Sequence, residues 1–168
     1  RVRRLALVSP AGIEPFSQKE AAALKQATTA EGILNTTDEQ VRQNTALNFA
    51  EWIDRYAWII EQRLALSERD DFAAYAKANA RSVAGMLESD VRDRLGEIDV
   101  PALVLFGAGD RLIPNPYLHP DMTTTDVADR AREALPEATV RVVEKAGHLL
   151  MLERPEGFRQ ELHAFVAE

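Results

Sequence analysis

Cysteine is absent from the 168 residues. That excludes disulfides, thiolate metal ligands and a cysteine nucleophile. No apolar run approaches the length that a bilayer demands, so no spanning helix is expected. Basic charge is short: 20 Lys and Arg against 27 Asp and Glu leave a formal net charge of −7. An acidic chain lacks the field that draws nucleic acid or an anionic membrane, and neither is an expected partner. Histidine is scarce, and the three present show no metal-ligand spacing. Gly107-Ala108-Gly109 is too short for a dinucleotide fingerprint, and no phosphate loop occurs. No metal and no cofactor are expected. No repeat, low-complexity run or secretory leader is visible, and the expected location is the cytoplasm. The chain opens on Arg1 rather than methionine, so its start is expected to be a cut or processed end.

What is present is a hydrophobic content of 46%, enough for one domain with a sizeable core. The organising stretch is Val100 to Pro114. Ala102 to Phe106 is apolar without polar alternation, which reads as a strand buried on both faces. Gly107 and Gly109 are expected to permit a sharp turn, and the turn presents Asp110. A second module repeats the design. Thr139 to Val143 is apolar and β-branched, and it runs into Glu144-Lys145-Ala146-Gly147-His148. Two strands thus each deliver a titratable side chain past the carboxyl end, where open α/β sheets build their sites. Arg3 to Pro10 reads as a further short buried strand, followed by a turn at Pro10 and Gly12. Ser9 is expected to be a turn serine, since no elbow glycines bracket it.

Between these strands the pattern is helical. Ser17-x-x-Glu20 is a capping box opening a helix to about Ala30, interrupted at Gly32 and Asn35. Thr37-x-x-Gln40 is a second box, opening a long helical segment to about Leu66. Ser67 or Asp70 is expected to cap a third helix carrying Phe72, Tyr75 and Val83. A short helix from Ser89 to Leu95 returns the chain to a strand. Later, Thr125 or Asp126 caps a helix ending before Pro136, and Pro155 starts the last helix, with Phe158, Leu162 and Phe165 as its apolar stripe. His119 lies in a long loop after Asp110 and is expected to be exposed unless it touches substrate; His163 reads as a surface residue.

Asp110 and His148, in that order and each after strand and glycine, resemble the C-terminal half of the α/β-hydrolase family, as does the tail Leu152-Glu153-Arg154-Pro155-Glu156-Gly157-Phe158. The resemblance is strong over 96–168, moderate over 1–13 and architectural between. It implies a partial α/β-hydrolase fold. Residues 1–13 would be a core strand and turn, 14–95 an inserted all-helical cap, and 96–168 the C-terminal part of the core. It also implies that Asp110 is the triad acid and His148 the general base. Phe49, Trp52, Tyr56 and Trp58 are expected either to wall a substrate pocket or to pack the helices on each other. Trp52, Tyr56 and Leu149 are the expected substrate contacts.

The chain departs from the family at one decisive point. Neither Gly-x-Ser-x-Gly nor its aspartate counterpart occurs anywhere in it, and the family's His-Gly oxyanion segment is also missing. A complete hydrolase of this kind needs roughly 250 residues or more. The first expectation is therefore the C-terminal portion of a serine hydrolase for an ester, lactone or C–C bond of a small apolar molecule. It would be inactive without an upstream half in the same or a separate chain. The second is a dehalogenase or epoxide hydrolase with an aspartate nucleophile. The third is a non-catalytic remnant that binds a partner or forms a homo-oligomer to complete its sheet.

Overall fold

The computed structural model describes residues 2–167. Two compact units divide the chain. One is helical and comprises Pro15–Ala46 and Trp52–Asp90; the other holds the remainder, including the short piece Leu47–Glu51. The sequence places residues 14–95 together; the contacts assign that internal piece to the sheet unit.

The helical unit contains α1 (Gln18–Ala27), α2 (Ala30–Leu34), α3 (Asp38–Ala46), α4 (Ala57–Ser67) and α5 (Phe72–Glu88). The Ser17 capping box forms as expected, with Ser17 Oγ accepting from the Glu20 N–H and the Glu20 carboxylate accepting from the Ser17 N–H. The first break comes earlier than the glycine suggests. Thr29 caps α2 by accepting from the Gly32 N–H at 3.0 Å, so Gly32 lies inside that helix. The expected long helix from Thr37 to Leu66 is also broken. It stops at Ala46, and a 3₁₀ turn at Asp54–Tyr56 precedes α4. At α5 neither Ser67 nor Asp70 is the cap. Asp71 holds that position, and its carboxylate turns to the Arg69 guanidinium at 2.8 and 2.9 Å rather than to the helix. That pairing holds the Asp71 carboxyl below its ordinary value.

The sheet unit is built on β1 (Leu5–Val8), β2 (Ala102–Gly107) and β3 (Thr139–Val143), all parallel in the order β1-β2-β3. Leu5 stands opposite Ala102, and Leu103 opposite Thr139. The unalternated apolar run is the central strand, buried at every position. Its side chains divide by parity, as a pleated strand requires. Val104 and Phe106 join Val127, Ala128 and Ala131 of α6 (Thr124–Ala134) on one face. Leu103 and Leu105 join Leu150 and Phe165 on the other. Those two belong to α7 (Leu150–Glu153) and α8 (Pro155–Ala167). Full burial of such side chains contributes about 1.5–3 kcal/mol each, so the centre of this sheet is where stability concentrates.

The cap of α6 is Thr123, two or three positions before the residues expected, with Asp126 as its reciprocal partner. Pro155 does open α8. The turn expected after β2 forms, closed by the Asp110 N–H on the Gly107 carbonyl at 3.0 Å, but neither Gly107 nor Gly109 takes a positive φ in it. Among the described residues the glycine at positive φ is Gly12. Gly107 is needed instead for close approach: a Cβ there would sit 2.2 Å from the Gly147 carbonyl oxygen. Two loops at the carboxyl edge of the sheet meet because neither brings a side chain to that point.

Candidate active site

Asp110 follows β2 by three residues. Its loop is fixed by the Ala108 N–H on the Val143 carbonyl (2.9 Å) and the Gly109 N–H on the Ala146 carbonyl (2.8 Å). The two carboxylate oxygens have separate tasks. Oδ1 accepts from the Leu112 and Ile113 N–H groups at 2.8 and 3.1 Å. Oδ2 lies 2.9 Å from His148 Nδ1. The Asp110 side chain is fully buried, while that of His148 is 26% exposed.

This arrangement determines what the ring can do. A carboxylate only accepts, so the proton between the two groups sits on Nδ1. Nε2 is left with a lone pair on a ring that solvent reaches. An imidazole so oriented can serve as a general base, and a buried carboxylate on its other nitrogen can stabilise an imidazolium. The His148 backbone is held as well: its carbonyl accepts from Ser9 Oγ at 3.0 Å. Ser9 is buried and sits at φ 42°, an unusual conformation for a residue with a Cβ. Its hydroxyl supports the histidine loop 139 positions away, whereas the sequence reads it as a turn serine capping nearby backbone.

The remaining candidates fall in different places. Leu149 lies beside His148, half-buried, with its N–H on the Asn48 carbonyl at 3.1 Å. Trp52 and Tyr56 belong to the helical unit, edge to face at 6.1 Å between ring centres. Trp52 lines a cavity of about 420 Å³ with Arg42, Asp54, Ala57, Ile60 and Glu61. Tyr56 is buried beside it under the Arg55 guanidinium. Of the other two aromatics, Phe49 is fully buried and Trp58 is exposed. His119 is not an exposed loop residue: Nδ1 lies 2.5 Å from the buried Glu14 carboxylate, which also accepts from the Asn115 N–H. His163 is exposed, as expected.

Two carboxylates escaped the sequence reading, Glu14 and Glu153. Both are buried, and both accept from backbone N–H groups of residues about a hundred positions away. Nothing local marks them. Glu153 stands in the tail that carries the family resemblance, which is the one available hint.

Comparison with known proteins fixes the class. Residues 1–161 match the sequence model of the Alpha/beta hydrolase family. The chain belongs to that family. Among curated relatives, a protein of Streptomyces lividans named a non-heme chloroperoxidase is 33% identical over 91 residues, 54% of this chain and 30% of that one. The pimeloyl-[acyl-carrier protein] methyl ester esterase of Pectobacterium atrosepticum is 33% identical over 78 residues, 46% of this chain and 27% of the relative. The fold is that of a probable hydrolytic enzyme from Pseudomonas aeruginosa, with a TM-score of 0.72 at 22% identity over 98% of this chain and 55% of that one. The 2-hydroxy-6-oxo-6-phenylhexa-2,4-dienoate hydrolase of Rhodococcus gives 0.71 at 19% identity, covering 99% of this chain and 56% of that one. The matched stretches thus span under a third of the curated relatives and little over half of the solved hydrolases. No helix among the described residues is long and apolar enough to cross a membrane.

Proposed function

We propose that this chain carries the acid and base of a serine-type hydrolase acting on an ester, lactone or C–C bond of a small apolar molecule. In this reading His148 is the general base, Asp110 orients it, and the nucleophile comes from a segment outside these 168 residues, in the same or a separate polypeptide. The carrying observation is the contact of Asp110 Oδ2 with His148 Nδ1 at 2.9 Å, with Oδ1 tied down by two backbone N–H groups. Two facts support an external nucleophile. The sequence contains no elbow motif, and the solved hydrolases of the same fold are nearly twice as long as the part matched.

The chemistry follows from the orientation. Nε2 takes the proton of the nucleophile's hydroxyl as its oxygen attacks the acyl carbon. The imidazolium then gives that proton to the departing alkoxide as the carbon–oxygen bond breaks. Water, deprotonated by the same nitrogen, releases the acid and restores the hydroxyl. Trp52, Tyr56 and Leu149 are assigned to substrate binding, and of these Trp52 lines the cavity of the helical unit.

Nitrophenyl-ester hydrolysis tests the reading. In the polypeptide that supplies the nucleophile, Asp110→Asn lowers kcat roughly 10⁴-fold, as loss of the orienting carboxylate does in complete triads. The 168 residues alone give no enzyme-like turnover. Turnover by them that His148→Ala abolishes would show that the nucleophile lies within the chain.

A further inference from the structure

Glu153 is a buried carboxylate with no part in that reaction. Only 9% of the residue is exposed, and its hydrogen bonds all come from backbone N–H groups. Oε2 accepts from Gly147 at 2.5 Å, one residue before His148. Oε1 accepts from Ala50 at 3.0 Å and Glu51 at 3.4 Å. One side chain thus fastens the histidine loop to Leu47–Glu51, the piece that breaks the expected long helix.

That piece touches both site loops. Its Asn48 carbonyl accepts from the Leu149 N–H at 3.1 Å, and its Ala50 carbonyl accepts from Arg111 Nη2 at 2.9 Å. Packing is equally close. A Cβ on Gly147 would lie 2.5 Å from the Ala50 nitrogen, and one on Gly109 would lie 2.7 Å from the Ala50 Cβ. Phe49 anchors the piece in full burial. So Leu47–Glu51 contacts the loop before Asp110 and the loop before His148, and Glu153 fastens it.

We propose that Glu153 is a positioning residue, which with Leu47–Glu51 sets the separation of Asp110 and His148. The proposal rests on the acid–base reading of that pair. It requires a carboxylate in particular, because both oxygens accept. An amide of the same shape presents one acceptor and one N–H₂, so one end meets a donor with a donor. Space-filling alone would be served equally well by glutamine.

The test is the ring ¹⁵N spectrum of His148 in the full polypeptide at pH 8, where an ordinary imidazole is neutral. Wild type is expected to show the proton on Nδ1. Glu153→Gln is expected to move His148 to a mixture of tautomers while the signals of His119 and His163 stay in place. In hydrolysis it lowers kcat on the order of 10–100-fold with KM little changed, the scale of a lost outer partner. An unchanged His148 signal in a folded Glu153→Gln protein would overturn the proposal. Asp110→Asn is the control. If it shifts the tautomer and Glu153→Gln does not, the positioning role alone is wrong; if neither does, the acid–base pairing is wrong. Should Glu153→Gln fail to fold, amide exchange in wild type decides. The Gly147 and Ala50 amides are expected to exchange as slowly as those of β2, and loop-like rates would contradict the proposal.

Discussion

Ser9 shows how a single residue near the histidine divides structure from chemistry. Its hydroxyl donates to the His148 carbonyl, and its φ of 42° stores strain that glycine would not. Ser9→Ala therefore loses about 1 kcal/mol in urea unfolding from the hydrogen bond alone. Ser9→Gly loses less, because relief of the backbone offsets part of that cost. Neither change should alter ester hydrolysis by more than a few-fold. A collapse of activity in both would make Ser9 a reacting group. Gly107 carries the opposite constraint. Gly107→Ala places a methyl 2.2 Å from the Gly147 oxygen, which no side-chain rotation relieves. It is expected to destabilise the fold by at least ~2 kcal/mol. At this scale the sequence disclosed Asp110 and His148, because each ends an apolar strand followed by glycine. It did not disclose Glu153, whose Ala50 partner lies 103 positions away, nor Glu14, paired with His119 across 105. Burial of a charge against distant backbone leaves no local pattern to read.

Among the elements, α6 carries the most testable terminus. Thr123 Oγ1 accepts from the Asp126 N–H, and the Asp126 carboxylate accepts from the Thr123 N–H. Thr123→Ala is expected to cost about 1 kcal/mol in unfolding. The Asp126 carboxyl is held below its ordinary value by the Thr123 hydroxyl and then by the Thr123 backbone N–H. A lowered folded value means the carboxylate contributes fully above the unfolded value, and that contribution fades as pH falls through the folded one. The gap in urea midpoint between wild type and Asp126→Asn should therefore narrow from pH 7 to pH 3. A constant gap would show that charge plays no part in the cap. The capping boxes at Ser17 and Thr37, the central strand and the start of α8 were all legible, since each rests on neighbours in sequence. The break at Leu47–Glu51 was not. Phe49 fits the apolar stripe of the expected long helix, and only its burial in the other unit, with Glu153 on the adjoining backbone, draws it out.

In the molecule as a whole, the sheet places β2 between its two partners, and among the described residues β1 pairs on one side. Leu5 and Ser9 donate toward the β2 side, so the parallel ladder turns the N–H groups of Ala6 and Val8 the other way. If the rest of a hydrolase sheet joins at β1, those two amides exchange slowly in the full polypeptide and quickly in the 168 residues alone. Fast exchange in both would mean that no strand adds there. The strongest single test, however, is the base itself. Nitrophenyl-ester hydrolysis should be compared between the full polypeptide and its His148→Ala variant at neutral pH. If His148 is the general base held by Asp110, kcat falls at least roughly 10⁴-fold with the fold intact. Activity within a few-fold of wild type would contradict the account.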